Sequence, residues 1–151
     1  MKDLSAKKSR LLDNLQARES YIKSKVNVIV PSQIRALRLK SKGMQKQSDL
    51  AKIAEMKQSR ISAIETPGAV NFNVNTLVRI AAAFGVGLKI EFVPFSEMLE
   101  WENNFQQDAF NPVRIEEDKE FLRDPQAAAS SNILKLSGQL SAMPAGSIPG
   151  I

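Results

Sequence analysis

The stretch Ser48–Glu65, "SDLAKIAEMKQSRISAIE", places two short amphipathic patterns directly next to each other. The first has its apolar side at Leu50 and Ala54, and the second at Ile61 and Ile64. The letters "EMK" between them include no proline and no glycine. A helix that stops and restarts within two or three residues sets its two parts at a large angle. The stretch therefore predicts a helix-turn-helix, and this constrains the fold more than any other feature of the chain.

The second pattern begins with polar side chains and returns to the core only afterwards. In a helix-turn-helix, the second helix lies in the major groove of DNA with its N-terminal residues at the base edges. Glutamine can form two hydrogen bonds with adenine, and arginine or lysine can reach guanine or phosphate. The residues with this character are Lys57, Gln58, Ser59 and Arg60, followed one turn after Gln58 by Ser62.

A long helix is predicted ahead of this motif. Apolar residues recur at spacings of three, four and seven over residues 4–29. Leu15, Ile22 and Ile29 fall on one seam, which suits either a short coiled-coil contact or a cover for the domain core. The β-branched run that follows, together with Pro31, predicts a helix boundary or kink near residue 30.

Residues 32–42 predict the next helix, which Gly43 would end. We expect the apolar residues of this helix to point into the core and its basic residues to form a rim. The inward set is Ile34, Leu37 and Leu39, and the rim is Arg35, Arg38, Lys40 and Lys42.

The pattern changes after the motif. Asn73 is a plausible cap for a helix that Gly85 would stop. In "LKIEFVPF", Leu88, Ile90 and Phe92 then alternate with charged residues, which predicts a strand. Because a lone strand in a helical domain has no partner, our hypothesis is a homodimer in which the same strand of two copies forms a ribbon. The alternative is a hairpin with another part of the chain.

The charge is divided unevenly along the chain. Residues 1–60 contain 15 Lys or Arg and 5 Asp or Glu, whereas residues 61–151 contain 6 and 11. This division suggests two different partners or surfaces. We expect an acidic helical segment over residues 96–123 and a flexible tail over residues 124–151, which is rich in Ala, Ser, Gly and Pro.

The composition argues against most catalytic sites. The chain has no cysteine and no histidine, which excludes thiol nucleophiles and Ser-His-Asp triads. Their absence also argues against a zinc site, because only carboxylates remain as ligands. No glycine-rich phosphate loop is present. We therefore expect no enzyme activity and no cofactor. The absence of a signal peptide or a membrane-length apolar run predicts a soluble, cytoplasmic protein.

Residues 32–92 resemble the XRE (Cro/repressor-type) helix-turn-helix family. The matching positions are Gln47, Leu50, Ala51, Met56, Ile61, Ser62, Ile64 and Glu65, and "NTLVRIAAAFGV" is similar to the helix that closes the family domain. In pattern the chain is similar to HipB-like antitoxin repressors and small single-domain regulators. HipB-like repressors carry one dimer-forming strand after the fifth helix.

The resemblance implies a mainly α fold. It would be a five-helix repressor-like DNA-binding domain with a long N-terminal helix and one short β-strand that pairs across a dimer. The expected boundaries are residues 1–30 for the N-terminal helix, 31–87 for the helix-turn-helix domain, 88–95 for the dimerisation strand, 96–123 for the acidic segment and 124–151 for the tail.

The resemblance also implies residue roles. Gln47 would contact phosphate, and Glu65 would pair with Arg38 or Lys40. The implied DNA-binding set is Gln47, Lys57, Gln58, Ser59, Arg60 and Ser62, and the dimerisation set is Leu88, Ile90 and Phe92.

Two departures from the family pattern affect this transfer. Glu55 stands where many members have glycine, so it needs either a left-handed conformation or a different turn. The link before the bracing helix is longer than usual, so Gln45 could take the role given to Gln47.

These patterns predict a sequence-specific transcriptional regulator of double-stranded DNA, a dimeric repressor that reads a palindromic operator through the major groove. The alternative is an antitoxin whose acidic C-terminal half neutralises a toxin protein and whose DNA-binding domain autoregulates the operon. No membrane partner is expected.

Overall fold

The computed structural model describes residues 2–123 and is mainly helical, as predicted. This part of the chain contains seven helices and no β-strand. They are α1 (Lys2–Asp13), α2 (Leu15–Lys40), α3 (Gln47–Ile53), α4 (Gln58–Glu65), α5 (Val74–Phe84), α6 (Phe95–Asn104) and α7 (Lys119–Leu122). Helices α1 to α6 belong to one compact unit that ends at Arg114. The predicted tail, residues 124–151, lies outside the described residues.

The single helix predicted over residues 4–29 is wrong, because the chain breaks at Asn14. This residue is extended (φ −133°, ψ 112°), and its side-chain oxygen accepts the N–H of Ala17 at 3.0 Å. Asn14 therefore caps α2. Helix α1 then folds back along α2, so that the ammonium of Lys7 lies 4.8 Å from the ring centre of Tyr21. In one continuous helix these two residues would be about 21 Å apart along the axis.

Of the boundary or kink predicted near residue 30, the boundary is wrong, because α2 runs through Pro31 to Lys40. Proline has no N–H, so the carbonyl of Asn27 loses its usual partner within the helix. The backbone N–H of Gly68, in the loop after α4, donates to that carbonyl at 3.1 Å. A contact from a distant loop thus satisfies the acceptor that the proline leaves free.

The core lies between the C-terminal half of α2 and helices α3, α4 and α5. Leu50 and Ile61 are completely shielded from solvent. The buried cluster consists of Ile34, Leu37, Leu50, Ala51, Ala54, Ile61, Ile64, Ile80 and Phe84.

Two side chains of α2 lie on the opposite side from the one predicted. Leu39 is 47% exposed, whereas Arg38 is buried at 8%. Residues three, four and seven positions apart share a helix face, so Leu37, Arg38 and Ser41 follow Ile34 into the interior. Leu39 falls outside that face.

Helix α5 begins and ends where the sequence predicted. The side-chain oxygen of Asn73 accepts the N–H of Thr76 at 2.9 Å, and Gly85 closes the helix in a left-handed conformation (φ +68°). Residues 86–94 then carry no regular secondary structure in this single chain. The predicted strand over residues 88–95 is therefore not formed among the described residues, which supply it with no pairing partner.

Helix α6 covers residues 95–104 only, so the acidic segment is helical over part of its predicted length. The ring of Phe95 lies 6.1 Å from that of Tyr21. The carboxylate of Glu102 pairs with Lys7 at 3.1 Å and with Lys25 at 2.6 Å, and it accepts the hydroxyl of Tyr21 at 2.6 Å. One carboxylate thus joins α6 to α1 and α2.

After α6 the chain returns to the C-terminal end of α2. The guanidinium of Arg114 donates to the carbonyl of Leu37 at 3.3 Å and to the hydroxyl of Ser41 at 3.0 Å. The ammonium of Lys40 donates to the carbonyl of Phe110 at 3.0 Å. These cations lie at the helix end where the backbone dipole is negative, which stabilises the helix.

Residues 115–123 belong to the second compact unit. Within it, the carboxylate of Asp118 accepts the N–H of Phe121 at 3.2 Å and caps α7. Over the described residues, no helix combines the length and apolar character that crossing a membrane requires.

The Glu102 cluster predicts a pH-dependent contribution to stability. Burial alone would raise the pKa of the Glu102 carboxyl, but hydrogen bonds from Lys25, Tyr21 and Lys7 outweigh it and lower the pKa to about 2. Because the pKa is lower in the folded chain than its ordinary value of 4.5, the ionised carboxylate stabilises the fold at pH values above 4.5. This stabilisation is lost as the pH falls toward 2. Glu102→Gln should therefore reduce the free energy of unfolding by about 1–2 kcal/mol at pH 7.

Urea unfolding of the wild type and the variant at several pH values tests this. The difference between them should be complete above pH 4.5 and should shrink as the pH falls toward 2. Glu100→Gln, an exposed change on the same helix, is the matched control and should show little effect. A difference that stays constant with pH would contradict the ion pairing.

Candidate nucleic-acid interface

The turn between α3 and α4 is a Schellman motif built around Glu55. The N–H of Glu55 donates to the carbonyl of Lys52 at 3.4 Å, and the N–H of Met56 donates to that of Ala51 at 2.8 Å. Glu55 itself has φ +54°, the left-handed conformation that was one of the two alternatives set out from the sequence. It is the only non-glycine residue with positive φ among residues 2–123. Met56 packs against the core and anchors the far side of the turn.

Arg79, on α5, secures this turn from outside. Its guanidinium donates to the carbonyl of Glu55 at 2.5 Å. This carbonyl lies just past the end of α3, where the helix dipole favours a cation. Sequence reasoning missed this role, because Arg79 stands 24 positions from Glu55 and has the pattern of an ordinary exposed basic residue of α5.

A buried ion pair fixes α4 against α2. The guanidinium of Arg38 meets the carboxylate of Glu65 through two contacts, Nε–Oε1 at 2.6 Å and Nη2–Oε2 at 3.0 Å. The two side chains are 10% and 4% exposed. The pairing expected for Glu65 is thus made by Arg38, whereas Lys40 binds the carbonyl of Phe110. A buried charge left without its partner typically costs about 3–5 kcal/mol, so this pair strongly restricts where α4 can lie.

Gln47 is the first residue of α3, and its amide takes part in the same network. Its Nε2 donates to Oε2 of Glu65 at 3.1 Å. Gln45 lies before the helix, in the loop, and its backbone carbonyl accepts a hydrogen bond from Arg38. The carboxylate of Glu65 therefore connects α2, α3 and α4, and Gln47 rather than Gln45 opens α3.

The first turn of α4 presents polar side chains to solvent. Lys57 is the N-cap residue, and Gln58 and Ser59 follow it; all three are exposed. Ser62, one turn after Gln58, is exposed on the same side of the helix. Arg60 differs, because it is partly buried and its Nη2 donates to the carbonyl of Asn71 at 3.3 Å. The structure thus groups four of the five predicted α4 residues and turns the fifth toward the loop after the helix.

Residues 34–90, which include both helices, the turn and the buried pair, match the family model described as helix-turn-helix. This part of the chain therefore matches the XRE-type helix-turn-helix family. The match supports a role in DNA binding and transcription regulation. No significant match was found among curated proteins or solved structures.

The matched region, residues 34–90, occupies the middle of the helical unit. The hairpin of α1 with the first half of α2 precedes it, and α6 with the segment back to Arg114 follows it. Both additions contact α2, the first helix of the matched region. The helix-turn-helix is therefore held in a larger helical frame than the family match alone covers.

Glu55 provides a prediction about the stability of the turn. A left-handed conformation costs an L-residue roughly 1–2 kcal/mol, and glycine avoids this cost but loses more entropy on folding. We expect Glu55→Gly to raise the free energy of unfolding by about 0.5–1 kcal/mol. Glu55→Ala is the matched control, since it removes the charge but keeps the strain. If urea unfolding found the two variants equally stable, the left-handed turn would not be the cause.

Proposed function

We propose that this chain is a dimeric, sequence-specific repressor that reads a palindromic operator through the major groove. The observation that carries the proposal is the two-sided character of α4. One side packs into the core and is held to Arg38 through Glu65. The other side exposes Gln58, Ser59 and Ser62 to solvent. A helix that reads base edges needs both properties, a fixed direction and exposed polar groups.

The proposed contacts follow from the chemistry of these side chains. Gln58 can bond adenine through its amide, and Ser59 and Ser62 can bond to either base edges or phosphate. Lys57 lies at the start of the helix, where a cation suits phosphate. Arg60 already bonds the loop carbonyl of Asn71, so we assign it to the backbone rather than to bases.

Gln47 is proposed to bind phosphate from the N-terminus of α3. One N–H of its amide bonds Glu65, which leaves the second N–H available for a phosphate oxygen. The N-terminus of a helix also attracts anions through its dipole. Glu65 would thereby orient a DNA-binding side chain while it holds the recognition helix.

Homodimerisation is proposed through residues 88–92. Leu88, Ile90 and Phe92 are 42%, 64% and 109% exposed in the single chain. Lys89 and Glu91, which alternate with them, form an ion pair at 2.7 Å, so their side chains lie on a common side as in an extended strand. Pairing with the same segment of a second copy would cover the apolar side and satisfy the backbone groups.

Two copies related by a two-fold axis would present two recognition helices. Half-sites of a palindromic operator would then be separated by about 34 Å, one turn of the duplex. Selection of bound sequences from a random DNA pool at two salt concentrations tests the proposal. We expect an enriched palindrome and an affinity that falls steeply with salt. A pool that remains random at both concentrations would contradict it, and a reporter gene under the selected operator tests repression directly.

Gln58→Ala should weaken binding to the selected operator by roughly 1–3 kcal/mol and leave binding to random DNA nearly unchanged, because the amide reads a base and carries no charge. Gln16→Ala is the matched control, since Gln16 is exposed on α2 outside the proposed interface. Fluorescence anisotropy on both DNAs measures the effect. An equal loss on operator and random DNA would be incompatible with base reading.

Phe92→Asp should separate the two copies that the 88–92 segment joins and so halve the mass of the assembly. The reason is that the change places a charge on the apolar side of the ribbon. Sedimentation velocity measures the change. Leu39→Asp, at another exposed apolar residue, is the control and should leave the mass unchanged. Affinity for a full palindrome should fall in Phe92→Asp, whereas affinity for a single half-site should not.

The antitoxin alternative would use exposed acidic groups of the C-terminal half. Glu102 is already bound to Lys7, Lys25 and Tyr21 within the chain. Other acidic residues of this half, such as Glu97 and Glu100, are exposed and could contact a basic partner. Rescue of a toxic neighbouring gene by co-expression would favour the alternative, and the DNA selection would then report autoregulation.

A further inference from the structure

A groove runs along the N-terminal half of α2, beside the loop that follows α4. It is open to solvent and has a volume of about 430 Å³. Its apolar lining comes from Ile22 and Val26 of α2 and from Phe72 of the loop, and Glu19 and Lys23 stand along it. The groove lies within the helical unit but is separate from the exposed side chains of α4.

The apolar seam Leu15–Ile22–Ile29 explains why this groove is open. Ile29 is buried at 5%, whereas Ile22 is 41% exposed and Leu15 is 63% exposed. The same seam thus covers the core at one end and continues as an unoccupied apolar stripe at the other. The neighbouring face of α2 is already in use, because Tyr21 and Lys25 contact Glu102 of α6.

We propose that the groove and stripe bind the same surface of a second copy of this chain, with the two α2 helices antiparallel. Glu19 and Lys23 lie one helical turn apart. A two-fold axis that passes midway between them brings Glu19 of each copy opposite Lys23 of the other. Ile22, one position from the axis, then packs in the middle of the contact. Both copies use the same surface in such a two-fold interface. Each charged side chain of one copy therefore faces the opposite charge on the other copy.

This surface is distinct from the 88–92 segment and goes beyond the proposed function. Burial of Ile22, Leu15 and Phe72 supplies the attraction, and the Glu19–Lys23 pairs fix the register. If both surfaces are used, two ribbon dimers associate through α2 into a tetramer that carries four recognition helices.

Sedimentation equilibrium of the full chain, over a range of concentrations, separates the two surfaces. We expect the wild type to reach four times the chain mass of 16.7 kDa. Phe92→Asp and Ile22→Asp should each stop at a dimer, and the variant with both changes should be a monomer. Helical circular dichroism and the urea midpoint verify folding. Leu15→Asp, at a more exposed position, replaces Ile22→Asp if that variant unfolds.

A charge exchange in the Phe92→Asp background tests the register. Glu19→Lys alone places two lysines opposite each other and should weaken the remaining dimer about tenfold. Adding Lys23→Glu restores opposite charges and should return the dissociation constant to within about threefold of its starting value. Failure of this second change to rescue would overturn the antiparallel arrangement.

The two proposals fail in different ways. If the wild type is a dimer and the Phe92→Asp variant is a monomer, the α2 contact is overturned and the ribbon is supported. A dimer that survives Phe92→Asp and is lost in Ile22→Asp supports the α2 contact and overturns the ribbon. A wild-type monomer at all concentrations overturns both.

Discussion

The position of α4 depends on one buried carboxylate. Glu65 ends α4, yet it bonds the guanidinium of Arg38 on α2 and the amide of Gln47 at the start of α3. Desolvation makes such a group costly unless its oxygens are satisfied, and here both oxygens have partners. The three helices must therefore keep one mutual arrangement for the carboxylate to remain paired. Apolar packing of Ile61 and Ile64 drives α4 into the core, and the ion pair determines the direction in which it lies.

Local sequence rules were sufficient wherever neighbouring residues decide the structure. The break around Glu55, the cap at Asn73 and the stop at Gly85 could all be predicted, because the residues that make each hydrogen bond lie within one turn of each other. The outward direction of Gln58 and the inward direction of Ile61 followed from helical periodicity. These features contain most of the helix-turn-helix, which is why the motif was evident from eighteen residues.

The errors arose where a distant group overrides the local rule. Pro31 should end a helix, but the N–H of Gly68 takes the carbonyl that it leaves free. Helical periodicity places Arg38 on a solvent-facing rim, but the carboxylate of Glu65, 27 positions away, draws it inside; only the family resemblance indicated that pair. Arg79 and Arg114 bond carbonyls at helix ends that lie far from them in the sequence. The break at Asn14 is different, because its capping signal was local and was outweighed by the apolar repeat on either side.

The Glu102 cluster also has a consequence for the order in which the chain folds. Lys7 and Glu102 are 95 positions apart, so their contact closes a loop that includes nearly the whole helical unit. Closing a long loop is entropically costly and is delayed until other contacts have shortened it. On the ribosome, α1 emerges before α6, so Lys7 cannot bind Glu102 until α6 has been synthesised. We therefore expect α1 to reach its final contact with α6 late, after the helix-turn-helix has already folded within the nascent chain.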